Sequence, residues 1–154
     1  MYVINANVAN GQFSHMINLC FLIRSLDVGG AEVQLCALAR GLDPSRYKVT
    51  VLCFYPGGAL AGSLQEAGVD VICLNKRGRW DLLSFAVRLV TAPRQLRPDI
   101  LHSYMGPANL LAIVVKPFLR RTKIIWGIRA SDMNLAHYDY SWRLTFGLEC
   151  RLSK

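Results

Sequence analysis

Apolar and polar residues alternate in blocks along this chain from residue 16 onward. The block at 17–23 is an almost uninterrupted apolar run, which is typical of a β-strand buried on both faces. The next block, 31–42, places its apolar residues on one helical face and predicts an amphipathic helix. Later blocks of the strand type predict four further strands, at 47–54, 70–74, 99–104 and 123–128.

The segments between and after these strands predict more helices, at 60–67, from Asp81 onward, at 108–119 and at about 138–152. We expect Asp81 to be the N-cap of its helix. The apolar stripe of that helix is predicted to comprise Leu82, Phe85, Ala86 and Leu89. Pro93 is expected to kink or end the helix, because proline lacks an N–H and clashes with the carbonyl four residues back.

The regular alternation of strands and helices indicates an α/β fold with a doubly wound parallel sheet, right-handed crossovers and helices on both faces. Such sheets bind ligands beyond the carboxyl ends of their strands, near the point where the strand order reverses. The loops predicted at those ends are 29–30, 55–56, 75–77, 103–109 and 129–132. We call this edge of the sheet the carboxyl rim and expect the functional site there.

Gly29 and Gly30 lie where the first strand turns into the first helix. Two adjacent glycines allow positive φ angles and let the backbone come close to a ligand. The free N–H groups and the dipole of the following helix then form an anion site. The same glycine pair also fits a plain tight turn between a strand and a helix.

A chain of 154 residues fits one domain, which we place at 16–154 after a leader at 1–15 that we predict to be disordered. The composition is 53% hydrophobic, which indicates strands covered on both faces or a surface that a partner covers. No segment predicts a transmembrane helix, and the leader lacks the basic start of a signal peptide. Five cysteines without a CxxC motif indicate a reduced, cytoplasmic protein without zinc, and no metal or cofactor is predicted.

The net charge of +8 favours contact with nucleic acid, anionic lipid or phosphorylated substrates, although a generally basic surface is the better single explanation. We expect no nucleic-acid partner, because neither an aromatic-studded strand nor a basic recognition helix is visible. Lys76, Arg77 and Arg79 precede Trp80, and more arginines follow on the next helix. This segment predicts either peripheral contact with the inner face of the membrane or the solvated side of a surface helix.

Two common nucleotide-binding motifs do not fit the first turn. A dinucleotide fold needs G-x-G-x-x-G there and an acidic residue at the end of the second strand, but that strand ends in Phe54, Tyr55 and Pro56. A P-loop also fails, since no Gly-Lys-Ser/Thr follows the glycine pair.

The segment around Gly29-Gly30-Ala31-Glu32 resembles the opening of the N-terminal domain of family 4 (group 1) glycosyltransferases. Further segments similar to that family follow in order: Pro56-Gly57-Gly58, Ala67-Gly68-Val69, Arg97-Pro98-Asp99-Ile100-Leu101-His102 and Trp126-Gly127-Ile128-Arg129-Ala130-Ser131. The resemblance covers residues 17–154. It implies the N-terminal, acceptor-side half of a GT-B fold, in which two Rossmann-like domains enclose a nucleotide-sugar donor.

The resemblance further implies a retaining transfer of sugar from that donor to an unknown acceptor. The family keeps most donor-binding groups in its C-terminal domain, and residues 1–154 do not include such a domain. We therefore expect this chain to be inactive alone and to require its own C-terminal domain as a partner. The alternative is a non-catalytic nucleotide- or phosphate-binding module that uses the same glycine turn.

Catalytic residues are expected among His102, Arg129 and Asp132. His102 is expected to close the fourth strand, where the alternative is a structural histidine with a hydrogen bond. Arg129 takes the place of a histidine that many family members carry after the fifth strand. Arginine cannot accept a proton, but it can hold a phosphate or a carboxylate with two hydrogen bonds. Asp132 is the nearest carboxylate, or else a turn or N-cap residue.

The other site residues are assigned by the same resemblance and by position on the carboxyl rim. Gly29 and Gly30 match the glycine turn near the donor phosphates. Tyr104 and Asn109 lie in the rim segment that follows the fourth strand, and we expect them to contact the acceptor.

Overall fold

Parallel strands alternate with helices in the computed structural model, which describes residues 16–78 and 81–127. The strands are β1 (Ile17–Ile23), β2 (Tyr47–Cys53), β3 (Asp70–Cys73), β4 (Ile100–Tyr104) and β5 (Lys123–Gly127). The helices are α1 (Gly30–Gly41), α2 (Ala61–Glu66), α3 (Leu82–Leu96) and α4 (Gly106–Val115), with a short 3-10 turn at Lys116–Phe118. The predicted leader at 1–15 and the predicted helix at 138–152 lie outside the described residues.

The sheet has the order β3-β2-β1-β4-β5, and every neighbouring pair is parallel. This arrangement confirms the predicted α/β fold class. The chain moves from β1 outward to β2 and β3, and then returns to place β4 on the other side of β1. The strand order therefore reverses between β1 and β4, and the crevice at their carboxyl ends is the switch point of the sheet.

Both faces of β1 are covered, which explains its continuous apolar sequence. Phe21 and Ile23 face the layer formed by α1 and α2, whereas Cys20 and Leu22 face the layer formed by α3 and α4. Phe21, Leu22 and Ile23 are completely buried. Burial of apolar surface contributes roughly 25 cal/mol per Å², so this central strand anchors both halves of the core.

The core stripe of α3 differs from the predicted one. Phe85, Leu89 and Pro93 are buried, whereas Leu82 and Ala86 are exposed. Residues spaced by four follow one side of a helix, and the ring of Phe85 packs edge-on against Phe54 with centroids 5.3 Å apart. This contact sets the rotation of α3, so that the start of the predicted stripe points away from the sheet.

Pro93 does not end α3, because the helix continues for three more residues to Leu96. The loss of one N–H near a helix end removes a single hydrogen bond, and Pro93 adds buried apolar surface to the stripe. The helix ends instead at Arg97, which has a left-handed φ of 46° and donates its N–H to the Pro93 carbonyl at 3.0 Å. Within the described residues, no helix is long and apolar enough to cross a membrane.

Candidate functional site at the carboxyl rim

Two helices begin beside the switch point of the sheet. Gly30 is the first residue of α1 and follows β1, and Gly106 is the first residue of α4 and follows β4. The N–H groups of a first helical turn have no partner within the helix, and the helix dipole places partial positive charge there. The crevice between β1 and β4 is therefore flanked by two helix ends that favour a negatively charged ligand.

The glycine pair does not use the positive φ angles that glycine allows. Gly29 is extended, with φ −151° and ψ 165°, and Gly30 is already helical. A Cβ on Gly29 would collide with the Glu32 carboxylate, which lies over the turn, whereas a Cβ on Gly30 would meet no atom within 4 Å. Among the described residues no packing contact therefore requires a glycine at position 30, and its missing side chain leaves open space beside the Glu32 carboxylate at the end of the helix.

The loop that follows β2 packs against the β1–α1 turn and is hydrogen-bonded to it. Leu26 is completely buried in this turn, and its carbonyl accepts a hydrogen bond from Leu60 N–H at 3.0 Å. Gly58 has φ +98°, and a Cβ there would lie 2.5 Å from the carbonyl carbon of Leu26. A side chain at Gly58 is therefore excluded by a backbone contact that sequence reasoning missed, although the Gly57-Gly58 pair was the available signal.

The β4–α4 turn has an unusual backbone conformation. Met105 has φ 71° and ψ 157°, a region that residues other than glycine rarely adopt and that costs about 1–3 kcal/mol. Its N–H donates to the Gly127 carbonyl at 3.1 Å, and its carbonyl accepts from Asn109 N–H at 3.0 Å. These bonds fix the strained residue between β4, β5 and α4. The sequence did not predict this conformation, because methionine has no preference for positive φ.

His102 lies in the middle of β4, and the expectation that it closes the strand is wrong. Its ring centroid is 5.4 Å from that of Phe21 and 4.7 Å from that of Tyr104, on the side of the sheet that α1 covers. Gly127 comes close to it across the β4–β5 pair, since a Cβ on Gly127 would lie 3.4 Å from His102 Nε2. The histidine is half-buried among rings, and its catalytic role stays a prediction.

Tyr104 and Asn109 lie at the carboxyl end of β4 and in the first turns of α4, as predicted from their position. Both are buried. Asn109 Oδ1 accepts a hydrogen bond from Ser103 Oγ at 2.7 Å, which ties the start of α4 to β4. Tyr104 is 1% exposed, and its hydroxyl finds no hydrogen-bond partner in the described part of the chain. Their contact with an acceptor stays a prediction.

Arg129 and Asp132 lie outside the described residues. Cys20, Cys36 and Cys53 are buried; burial raises the pKa of the Cys20 thiol to about 12, and burial together with the neighbouring Cys73 raises the pKa of the Cys53 thiol to about 12. Such thiols stay protonated at neutral pH and behave as small apolar side chains. Residues 16–78 and 81–127 contain no group of three or more His, Cys, Asp or Glu side chains placed to hold a metal ion.

The family model described as "Glycosyl transferase 4-like domain" matches residues 29–151, which is most of the chain. The chain belongs to this family. The match begins at Gly29, in the turn at the switch point, and the resemblance drawn from sequence motifs is thereby confirmed. No curated protein matches the sequence at a significant level.

Solved structures show the same fold for this glycosyl transferase 4-like domain. The Anabaena protein Alr3699/HepE in complex with UDP is similar with a TM-score of 0.68 and 19% identity, over 88% of this chain and 35% of that one. CalG4, the calicheamicin glycosyltransferase, is similar with a TM-score of 0.52 and 13% identity, over 90% of this chain and 38% of that one. The chain thus spans little more than a third of the length of either structure.

Proposed function

We propose that this chain is the acceptor-side domain of a retaining glycosyltransferase, which transfers a sugar from a nucleotide-sugar donor to an acceptor. The observation that carries the proposal is the open β1–α1 turn at the switch point, where Gly30 leaves free space at a helix N-terminus. Membership of the glycosyl transferase 4-like family supports it. Alr3699/HepE, which has the same fold, was crystallised with UDP and also with UDP and glucose.

The role proposed for this turn follows from the charge that develops during transfer. When the sugar leaves the donor, negative charge grows on the nucleoside diphosphate, and preoriented N–H groups stabilise it without having to reorganise. The first turn of α1 supplies such groups, and the missing side chain at Gly30 lets a phosphate approach them. Tyr104, whose hydroxyl is buried at the end of β4 without a hydrogen-bond partner in the described residues, keeps its proposed acceptor contact as a prediction.

Several residues keep their proposed roles at this site. His102 is proposed to assist the reacting groups, with Arg129 as an electrostatic clamp on phosphate or carboxylate and Asp132 as its neighbouring carboxylate. We further propose that a C-terminal domain outside this sequence supplies the remaining donor contacts. Residues 1–154 are accordingly expected to transfer no sugar by themselves.

The test is Gly30→Val in a protein that joins this chain to its donor domain, assayed with UDP- and GDP-sugars. We expect kcat/KM to fall by about a hundredfold or more, because the side chain blocks the N–H groups that bind the leaving phosphate. Gly41→Val is the matched control, since Gly41 ends the same helix at the opposite edge of the sheet and also has open space around a Cβ.

Near-normal turnover of Gly30→Val would show that the turn is only structural. UDP binding without sugar transfer by the unmodified protein would instead favour the non-catalytic nucleotide-binding module. Calorimetric titration with UDP separates these outcomes, because it measures binding whether or not transfer occurs.

We also propose that the start of α3 contacts a membrane surface. Leu82, Leu83 and Val87, which we call the α3 apolar patch, are 64%, 82% and 55% exposed. Sequence reasoning had assigned Leu82 to the core, where it would be unable to reach lipid. Lys76 and Arg77 precede the patch, and each cation near an anionic surface contributes about 1 kcal/mol to binding. Exposed leucines beside cations are typical of a segment that rests in the headgroup layer.

Co-sedimentation with vesicles tests this contact. We expect the protein to sediment with phosphatidylglycerol vesicles but not with phosphatidylcholine vesicles, and to be released by salt. Arg77→Glu and Leu83→Ser should each weaken sedimentation, whereas Lys123→Glu, an exposed cation at the start of β5, should not. Equal recovery in the supernatant with both lipids at low salt would contradict the proposal.

A further inference from the structure

Three neighbouring strands of the sheet end with a cation, an aromatic ring and a second cation. Arg24 follows β1, Tyr55 lies two residues beyond β2, and Lys76 lies three residues beyond β3. The backbone ladder continues past the strand ends, because Tyr55 N–H donates to the Arg24 carbonyl at 3.2 Å and Lys76 N–H donates to the Phe54 carbonyl at 2.8 Å. The positions of these residues on the carboxyl rim are therefore fixed by the sheet itself.

Both cations lie against the Tyr55 ring. The Arg24 guanidinium carbon is 5.7 Å from the ring centroid, and Lys76 Nζ is 5.5 Å from it. Lys76 Nζ also lies 5.8 Å from the Phe85 ring and donates a hydrogen bond to the Gly78 carbonyl at 2.7 Å. We call Arg24, Tyr55 and Lys76 the rim cation cluster.

The rim cation cluster has no neutralising acid in the described part of the chain. Asp27, three residues after Arg24, forms no ion pair within the described residues, and Asp81 accepts instead from Arg88 at 2.8 Å and from Arg77 N–H at 3.2 Å. No hydrogen bond or ion pair of the Arg24 side chain lies within residues 16–78 and 81–127. Lys76 uses one of its three N–H donors on Gly78, which leaves two.

Folding alone gives little reason for this arrangement. Two like charges on one ring repel each other, and cation–π contacts at exposed sites are weak. An anion placed between them removes the repulsion and gains hydrogen bonds to charged donors, which are the strong class. A phosphate group fits both partners, since its oxygens accept the planar fork of an arginine and the point charge of a lysine.

We propose that the rim cation cluster binds a phosphate group of the acceptor, so that the substrate receiving the sugar is a phosphorylated compound. This inference rests on the proposed function and names the class of its acceptor. The cluster lies at the ends of β1, β2 and β3, on the side of β1 away from the crevice between β1 and β4. Arg24 belongs to the β1–α1 turn, so the two places share the end of β1, and we assign the donor phosphate to the start of α1 and the acceptor phosphate to the side of β2 and β3.

The test is a calorimetric titration of the full chain with glucose 6-phosphate and with glucose, which differ by the phosphate alone. We expect glucose 6-phosphate to bind and glucose not to bind. Arg24→Gln should weaken the affinity for glucose 6-phosphate about tenfold, because a charge-assisted contact is lost. Arg40→Gln is the matched control, an exposed arginine in the last turn of α1, and should change the affinity less than about twofold.

A second variant tests the same cluster in case Arg24→Gln fails to fold. Lys76→Met keeps an apolar stem against Phe85 while removing the charge, and it should also weaken glucose 6-phosphate binding about tenfold. A second pair of probes, dihexanoyl phosphatidic acid and dihexanoyl phosphatidylcholine, identifies the source of the phosphate. Tighter binding of the phosphatidic acid than of glucose 6-phosphate indicates a lipid acceptor, and the reverse order indicates a water-soluble one.

Equal binding of glucose and glucose 6-phosphate would overturn the inference, as would unchanged affinity in both Arg24→Gln and Lys76→Met. Competition between UDP and glucose 6-phosphate would assign the cluster to the donor and overturn its assignment to the acceptor. The direct titrations contain no nucleotide. A lack of glucose 6-phosphate binding would therefore overturn this inference without contradicting sugar transfer, which the turnover assay measures separately. Likewise, normal turnover of Gly30→Val has no bearing on whether phosphate binds at the cluster.

Discussion

At the amino edge of the sheet, where the strands begin, polar side chains bond to the backbone of neighbouring segments, whereas at the carboxyl rim the Arg24 side chain has no hydrogen bond or ion pair within the described residues and Lys76 bonds to the Gly78 carbonyl of its own loop. Asp99 Oδ2 accepts from Asn18 N–H at 2.8 Å, and Thr122 Oγ1 donates to the Pro98 carbonyl at 2.7 Å. At the carboxyl rim, Arg24 has a ring contact in place of an ion pair. The difference separates an edge that holds the strands in register from one that is available to ligands.

Backbone geometry follows the same division. Left-handed residues at the amino edge, Gly68 and Arg97, follow the ends of α2 and α3 and serve as ordinary helix terminations. At the carboxyl rim, Met105 and Gly58 adopt positive φ in turns that shape the switch point. Of these two, Met105 carries the backbone strain, whereas positive φ at the amino edge is confined to helix ends among the described residues.

The motif segment 97–102 begins at the amino edge of the sheet. Its members resemble the family as clearly as the glycine turn does, but Pro98 and Asp99 lie at the amino edge and hold strands together. Asp99 N–H also donates to the Asn18 carbonyl at 2.9 Å, so that β1 and β4 are joined by a reciprocal pair of bonds. A motif that identifies the family therefore need not mark its site.

The largest expected effect is that of Gly58→Ala. It tests whether a backbone contact at the carboxyl rim stabilises the fold as strongly as the hydrogen bonds at the amino edge. The new Cβ would meet the Leu26 backbone in a left-handed conformation, so we expect a loss of about 3 kcal/mol in the free energy of unfolding. Urea unfolding measures the loss. Gly57→Ala is the control, because Gly57 has φ +83° but no atom within 4 Å of a Cβ, and it should cost about 1 kcal/mol.

A smaller effect, about 2 kcal/mol, is expected for Asp99→Ala, because the part-buried Asn18 N–H loses its side-chain acceptor. Affinity for glucose 6-phosphate should remain unchanged if the two edges are independent. Asp70→Ala, at the exposed start of β3, should change the free energy of unfolding by less than about 0.5 kcal/mol. Weakened phosphate binding in Asp99→Ala would contradict the separation of the edges.

The smallest effect is expected for Ser45→Ala, in the loop between α1 and β2 at the amino edge. Hydrogen bonds from the Ser45 hydroxyl and N–H lower the pKa of the Asp43 carboxyl below its usual range. A lowered folded-state pKa stabilises the fold above the unfolded-state pKa, and this contribution is lost as the pH falls through the folded-state value. Ser45→Ala should therefore destabilise the protein slightly at pH 7 and not in strong acid. An equal deficit at both pH values would point to a cause other than this carboxylate.

The order and type of most elements could be predicted because their signals are local. The apolar run of β1 and the helical spacing in α1 reflect burial that each segment carries along its own length. The rotation of α3 could not be predicted, since Leu82 and Phe85 both fit a helical stripe. Only the contact between Phe85 and Phe54, which directly follows β2, decides which of them faces the sheet.

The sequence by itself determined the parallel α/β pattern, the glycine turn and the family, because each depends on residues that are neighbours along the chain. Tertiary structure alone placed Arg24, Tyr55 and Lys76 together, since they come from three strands that only the parallel register brings side by side. Tertiary structure also placed Gly58 in close contact with the Leu26 backbone and gave Met105 its positive φ. These features arise from contacts between distant segments, and residue type or spacing within one segment does not encode them.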